Sequence, residues 1–274
     1  MKSNFRNLAL ALLVLGGVSA HAQKNSRSLD NYREPDKNGI NVFEAPKDTV
    51  STFEEVKVRI GGSSTLQFQA LEHKKNGGVE LVEIGNNFNL ATANLDIDVA
   101  LYDGIRMHLR TYLSSRHHPE PYVKGGYFQI DKLNFIEEGF LDNIMKFTTI
   151  KVGHMENNYG DAHFRRTDNA QAIYNPFVGN MIMDGFTTEV GAEVYYQRDG
   201  FIGMVGFTNG KLNQSVDNPD SGGASFLAKL GYDKQIDSDL RLRVTGSVYT
   251  TGKVANSYLY SADRAGSRYY LVLE

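Results

Sequence analysis

The feature that most constrains this chain is an alternation of apolar and polar residues with a period of two, which begins near Val56. In the first such segment Val58, Ile60 and Leu66 share one face, while Lys57 and Arg59 lie on the other. Successive side chains of a β-strand point to opposite faces, so the pattern predicts a strand with one apolar and one polar face. Further strands are predicted at residues 88–101, 105–113, 126–136, 146–153, 187–197, 201–209, 224–235 and 240–250, with an incomplete tenth from residue 268. A slip of phase near Ala93 predicts a β-bulge in the second strand. The chain is therefore predicted to be all-β.

The connections between these strands are predicted to alternate in length. The long links are residues 72–86, 114–125, 154–186, 210–223 and 251–267, and the short ones are residues 103–104, 198–200 and 236–239, with 137–145 intermediate. An antiparallel meander with long loops at one end and short turns at the other is typical of a transmembrane β-barrel. Strands of about 9 to 11 residues also suffice to cross a bilayer at a tilt.

The N-terminus has the features of a secretory signal peptide. Lys2 and Arg6 precede the apolar run Leu8–Val18, which ends at the small residues Ala20 and Ala22. The run is too short for a transmembrane helix, which needs roughly 20 residues. We therefore expect residues 1–22 to be cleaved and the protein to be exported.

Composition divides the rest of the chain into two parts. Residues 23–55 contain few apolar residues and no sustained period, which predicts a flexible periplasmic leader, and residues 56–274 form the predicted barrel. The formal net charge of -3 gives no support to nucleic-acid binding. The absence of cysteine excludes disulfides and thiolate metal sites.

The polar faces of the predicted strands carry many charges. Basic side chains occupy them at Arg59, Arg106, Arg110, Arg241 and Arg243. Such faces suit the water-filled lumen of a barrel. The alternative is a secreted soluble β-sandwich, whose alternating strands would cover an ordinary apolar core.

The long link at residues 154–186 concentrates ionisable side chains and leaves three interpretations open. One takes His154, Glu156, Asp161 and His163 as metal ligands, although no regular spacing fixes their geometry. Another places the link inside the barrel as a constriction, with Arg165 and Arg166 facing acidic residues such as Glu156 and Asp161. The third is a solvated external loop.

One stretch resembles a known family. Residues 151–160, KVGHMENNYG, resemble the central signature of porins of the phosphate-selective type, and residues 175–180 and 200–210 are similar to outer-membrane porin-like proteins of Bacteroidetes. The resemblance implies a barrel of about 16 strands, more than the ten that are predicted here, so we expect the natural protein to continue beyond residue 274. It also implies a homotrimer, which is common among such porins. The anion-selecting basic residues of the family cannot be matched to positions here, so phosphate selectivity is not implied.

Together these features predict a porin or porin-like channel of the outer membrane for passive diffusion of small hydrophilic solutes, including ions. Its expected partners are the outer-membrane lipids and lipopolysaccharide, and no cofactor, metal or nucleic acid is expected. No enzyme motif is present: the clusters at Gly61–Ser64 and Ser221–Gly223 match neither a nucleophile elbow nor a phosphate-binding loop. A lipid hydrolase is disfavoured because Ser63, Ser64 and His108 fall on polar faces. A non-channel structural or adhesion barrel is the main alternative.

Overall fold

The computed structural model describes residues 29–35, 39, 41–70, 72–114, 118–161, 188–211 and 222–253. The protein is all-β, as the alternation predicts. Its strands are β1 (Lys57–Gln69), β2 (Asn87–Tyr102), β3 (Ile105–Ser114), β4 (His118–Ile130), β5 (Thr148–Glu156), β6 (Thr188–Arg198), β7 (Phe201–Lys211), β8 (Ser225–Gln235) and β9 (Arg241–Thr251). A short helix, α1 (Asp142–Met145), precedes β5. In the described ranges no helix is both long and apolar enough to cross a membrane.

The nine strands form one antiparallel sheet in chain order, so the predicted meander is confirmed. Each strand pairs with the next, from β1 against β2 to β8 against β9. Over the residues that are described, the sheet is not closed, and β1 and β9 are its edges. The predicted signal peptide, at residues 1–22, and the predicted tenth strand, from residue 268, lie outside the described residues.

Local sequence signals explain the bulge and the tight turns. Thr65 pairs with Thr92 and Leu66 with Leu90, which leaves Ala91 as the extra residue of a bulge near the predicted position. Between β6 and β7, Asp199 and Gly200 have φ angles of 52° and 91°. Positive φ at both central residues is the backbone of the two-residue hairpin turn that Asp-Gly favours.

The prediction of a long link at residues 114–125 is wrong. β3 continues to Ser114 and β4 begins at His118, so only residues 115–117 separate them. Pro119 and Pro121 obscure this strand in the sequence because proline cannot donate to a strand ladder. They are tolerated since β4 pairs with β5 only over Gly126–Ile130, which leaves residues 118–125 bonded to β3 alone.

The predicted strand at 126–136 ends early, and a longer connection follows it. β4 stops at Ile130, and residues 131–147 fold back toward the β2–β3 turn before β5 begins. The Asp131 amide donates to the Gly104 carbonyl at 2.7 Å, and Lys132 binds Asp103 at 2.9 Å. The connections before and after β5 are therefore both long, so the predicted alternation of link lengths does not hold.

The segment that precedes β1 is packed against the sheet. We call the described residues 29–35, 39 and 41–56 the N-terminal segment. Composition predicts a flexible leader here, yet Leu29, Tyr32, Glu44 and Ala45 are buried. The pattern misleads because side-chain hydrogen bonds and ion pairs, rather than an apolar stripe, hold the segment in place. Its residues lie against the charged face of the sheet.

Candidate functional site

In this sheet the apolar face is exposed and charged side chains of the polar face are buried, which is the reverse of an ordinary soluble protein. The apolar face carries large exposed side chains on every strand except β3, among them Val205 and, at 63% exposure each, Phe207 and Val244. On the polar face many charged side chains are buried: Asp98 has no exposed surface and Lys229 retains 1%, although Arg241 on the edge strand β9 is exposed. Lys, Glu, Arg and Asp are rarely buried unless they are paired. The polar face is therefore the candidate functional site.

Asp98 is the centre of one buried cluster on this face. Its carboxylate accepts hydrogen bonds from Arg106 Nη1 at 3.0 Å and from the Tyr32 hydroxyl at 2.8 Å. His108 Nδ1 lies 2.8 Å away, and Arg59 Nη1 is at 3.5 Å. The guanidinium groups of Arg59 and Arg106 also lie 5.2 and 4.9 Å from the Tyr32 ring centre, within cation–π distance. This one carboxylate thus neutralises charge from β1 and β3 and binds the N-terminal segment.

Further pairs extend the network along the strands. Arg110 makes a two-point contact with Asp96, at 2.6 and 3.1 Å, and lies 4.0 Å from Glu156. On β4, Gln129 accepts from Arg106 at 2.7 Å and donates to Asp131 at 2.7 Å. The polar face is therefore a connected set of bonds rather than a row of solvated charges.

A second cluster joins three parts of the chain near β8 and β9. We call Glu44, Asp161, Lys229 and Arg243 the Glu44 cluster. Arg243 binds both Glu44 oxygens, at 2.9 and 3.0 Å, and both Asp161 oxygens, at 2.9 Å each. Lys229 Nζ lies 2.9 Å from Asp161 and 3.6 Å from Glu44. Two acids from outside the sheet therefore share two cations from its strands.

Asp161 and Tyr32, which lie outside the strands, have shifted pKa values. Burial disfavours the ionised form of Asp161, but hydrogen bonds from Arg243 and Lys229 outweigh it and hold the pKa well below its usual range. Burial, together with the charge of Asp98 and the hydrogen bond to it, raises the pKa of Tyr32 far above its usual value. Asp161 therefore stays an anion and Tyr32 a hydrogen-bond donor over the physiological range.

A small cavity remains between the N-terminal segment and the polar face. Its volume is about 120 Å³, and Arg33 and Phe43 line it on one side, with Lys151 and Tyr195 on the other. The Lys151 ammonium lies 5.1 Å from the Tyr195 ring centre, and Asn158 donates to the Tyr195 hydroxyl at 3.1 Å. The cavity wall is therefore polar and aromatic.

No protein-family model and no curated protein matches this chain. The resemblance to porins thus stays a prediction. Among the described residues, no three His, Cys, Asp or Glu side chains lie close enough together to hold a metal ion. His163, one of the four ligands in the metal interpretation, lies outside those residues.

The structure divides the predicted site residues between the two clusters. Arg59, Arg106, Arg110 and Glu156 lie in or beside the Asp98 network. Asp161, Arg241 and Arg243 lie at the other end of the sheet, where Arg241 binds Asp233 and Arg243 contacts Asp161 and Asp233. Arg165 and Arg166 lie outside the described residues.

Sequence reasoning missed the residues at the centres of both clusters. Asp98 and Lys229 are on predicted polar faces, but nothing in the alternation marks them as more buried than their neighbours. Tyr32 and Glu44 come from the predicted leader, and their roles depend on contacts 66 and 199 residues away along the chain.

Proposed function

We propose that this protein forms the wall of a porin-like outer-membrane channel through which small hydrophilic solutes diffuse. In this proposal the apolar face contacts lipid and the polar face lines the interior. The observation that carries the proposal is the inverted burial of the sheet, with exposed Val205, Phe207 and Val244 against buried Asp98 and Lys229. Outer-membrane barrels combine an apolar outer band with a polar interior.

The extent of the apolar face supports lipid rather than water as its surroundings. Large apolar side chains are exposed on eight of the nine described strands, all except β3, for example Ile60, Val152, Leu230 and Val248. Soluble monomers rarely expose contiguous apolar patches of more than a few hundred Å². A β-sandwich would also bury its apolar faces against each other and leave its charges outside, which is the reverse of the arrangement here. The soluble alternative is therefore disfavoured.

The proposal requires that the two sheet edges be paired in the membrane. Unpaired backbone groups cost several kcal/mol each in hydrocarbon, so membrane sheets close on themselves. β1 and β9 are edges within the described part of the chain. Further strands, as the porin resemblance implies, would supply the closure. Export through the predicted signal peptide at residues 1–22 would deliver the protein to that membrane.

A second candidate is a structural barrel whose interior does not conduct. The N-terminal segment favours it, because this segment is bound to the polar face both at Asp98 on β2 and at Arg243 on β9. The two candidates share the lipid-facing wall and differ only in whether solutes pass.

Conductance across a planar lipid bilayer tests the channel directly. We expect the full-length protein, added in detergent, to produce discrete current steps that scale with salt concentration, because the interior is polar and charged. A heat-denatured sample is the control. Protein that inserts into the bilayer, shown by protease protection in vesicles, without any current steps would support the non-conducting barrel.

A further inference from the structure

We propose that the N-terminal segment is a releasable plug that restricts the channel, and that Glu44 is its latch. This inference rests on the proposed channel function. It assigns a regulatory role to a segment that sequence analysis predicts to be a flexible leader.

The segment crosses the polar face instead of following one edge. At one end Tyr32 binds Asp98 on β2, and at the other Glu44 binds Arg243 on β9. β2 and β9 are at nearly opposite ends of the sheet order. Between these contacts a cavity of about 120 Å³ remains, and a second of about 450 Å³ lies beside Glu44 and the β6–β7 turn. The segment therefore occupies the space through which a solute would have to pass.

The attachment is made by side chains and not by strand pairing. None of the described residues of the segment belongs to the sheet. Its backbone binds the sheet only through isolated hydrogen bonds from side chains of the strands. Gln129 donates to the Asn31 carbonyl at 3.0 Å, and Arg241 donates to the Asn41 carbonyl at 2.6 Å. Lys47 binds Asp131 at 2.8 Å. Such contacts can be broken without disturbing the ladders of the sheet.

The sheet keeps its own partners at each anchor when the segment is absent. Without Tyr32, Asp98 retains Arg106 and His108. Without Lys47, Asp131 still accepts from Thr149, at 2.6 Å, and from Gln129. Removing one partner of a buried pair is costly because it leaves the other charge uncompensated. Asp98 avoids that penalty because Arg106 stays with it, whereas Asp131 keeps two neutral hydrogen-bond donors.

At the latch, too, the side chains of the sheet keep partners when the segment is absent. When Glu44 leaves, Arg243 keeps Asp161 at 2.9 Å and Asp233 at 2.7 Å, and Lys229 keeps Asp161 and the Asn158 side chain. The two cations are therefore compensated in both states. The last three residues of the segment, Glu54, Glu55 and Val56, are exposed and provide a tether to β1 about which the rest of it can move.

The test compares Glu44→Gln with Glu55→Gln in single-channel recordings of the full-length protein. Both variants remove one acid from the same segment, but Glu55 is exposed and lies outside the cluster. Loss of charge-assisted hydrogen bonds at Glu44 should raise the ratio of open to closed channel by about tenfold or more. Glu55→Gln should match the wild type. If Glu44→Gln fails to assemble, Tyr32→Phe tests the opposite anchor in the same way.

A cross-link supplies the converse experiment. Residues 1–274 contain no cysteine, so Glu44→Cys with Arg243→Cys introduces one pair of thiols there. We expect this double variant to conduct more than the wild type and to close when a short bis-maleimide joins the two thiols, while Glu55→Cys alone should not respond. Wild-type current in every variant, unaffected by the reagent, would overturn the plug and leave the channel intact. Absence of current in all variants, despite insertion, would overturn the channel itself.

Discussion

Replacing Asp98 with asparagine should lower the free energy of unfolding by about 3–5 kcal/mol, the cost of breaking a buried ion pair by removing one partner. The Asp98 side chain has no exposed surface, and Arg106 lies 3.0 Å from it. Asparagine keeps the shape of the aspartate side chain but has no charge. Its amide NH₂ group would also face the hydrogen-bond donors that surround the Asp98 carboxylate. Urea unfolding of the protein in lipid vesicles, followed by far-UV circular dichroism, measures the change.

The matched control for this prediction is Asp199→Asn. Asp199 lies in the β6–β7 turn, is 86% exposed and pairs only loosely with Arg198, at 3.4 Å. Exposed pairs contribute about 0–1 kcal/mol, and asparagine tolerates the positive φ of this position. Equal losses at positions 98 and 199 would show that the Asp98 cluster is not buried as described.

Replacing Val205 with arginine should cost about 2–4 kcal/mol in lipid vesicles, the penalty for a cation on the lipid face of a barrel near the bilayer midplane. Val205 lies at the middle of β7, between Val194 and Ala228, and its side chain is 46% exposed. In water an arginine at so exposed a position would be solvated and nearly neutral in effect. The size of the loss therefore distinguishes lipid from water at the apolar face.

Val79→Arg is the control for Val205. Val79 lies in the link between β1 and β2 and is also exposed, at 58%. Its replacement should change the free energy of unfolding by less than about 0.5 kcal/mol, as is usual for surface substitutions. If the two arginines have the same small effect, the apolar face does not contact lipid.

The strands could be predicted from the sequence because their faces differ in polarity. Alternation placed β2, β3 and β6–β9 within two residues of their observed bounds, and Asp-Gly marked the turns at residues 103–104 and 199–200. The start of β4 was missed because Pro119 and Pro121 oppose strand pairing in general, and only the register shows that one edge is free there. A one-dimensional pattern contains no information on which strands leave an edge unpaired.

The candidate site was predicted only in part, for a related reason. Alternation places Arg106, Arg110 and Arg243 on polar faces, and that pattern alone predicts side chains in contact with water. Their burial depends on the N-terminal segment, whose Tyr32 and Glu44 come from a stretch without any period. Polar packing of this kind leaves no hydrophobic signature, so the plug could be found only once the structure brought these residues to the sheet.

Single cysteines along β7 test the central claim most directly, because residues 1–274 contain no cysteine that could interfere. Spin labels at positions 205 and 207 of the protein in lipid vesicles should be accessible to oxygen dissolved in the bilayer and protected from a water-soluble nickel chelate. Labels at positions 204 and 208, which are buried on the opposite face, should show the lower oxygen accessibility. Chelate accessibility at 205 and 207 equal to that of a label at exposed Asp199 would contradict the lipid-facing assignment.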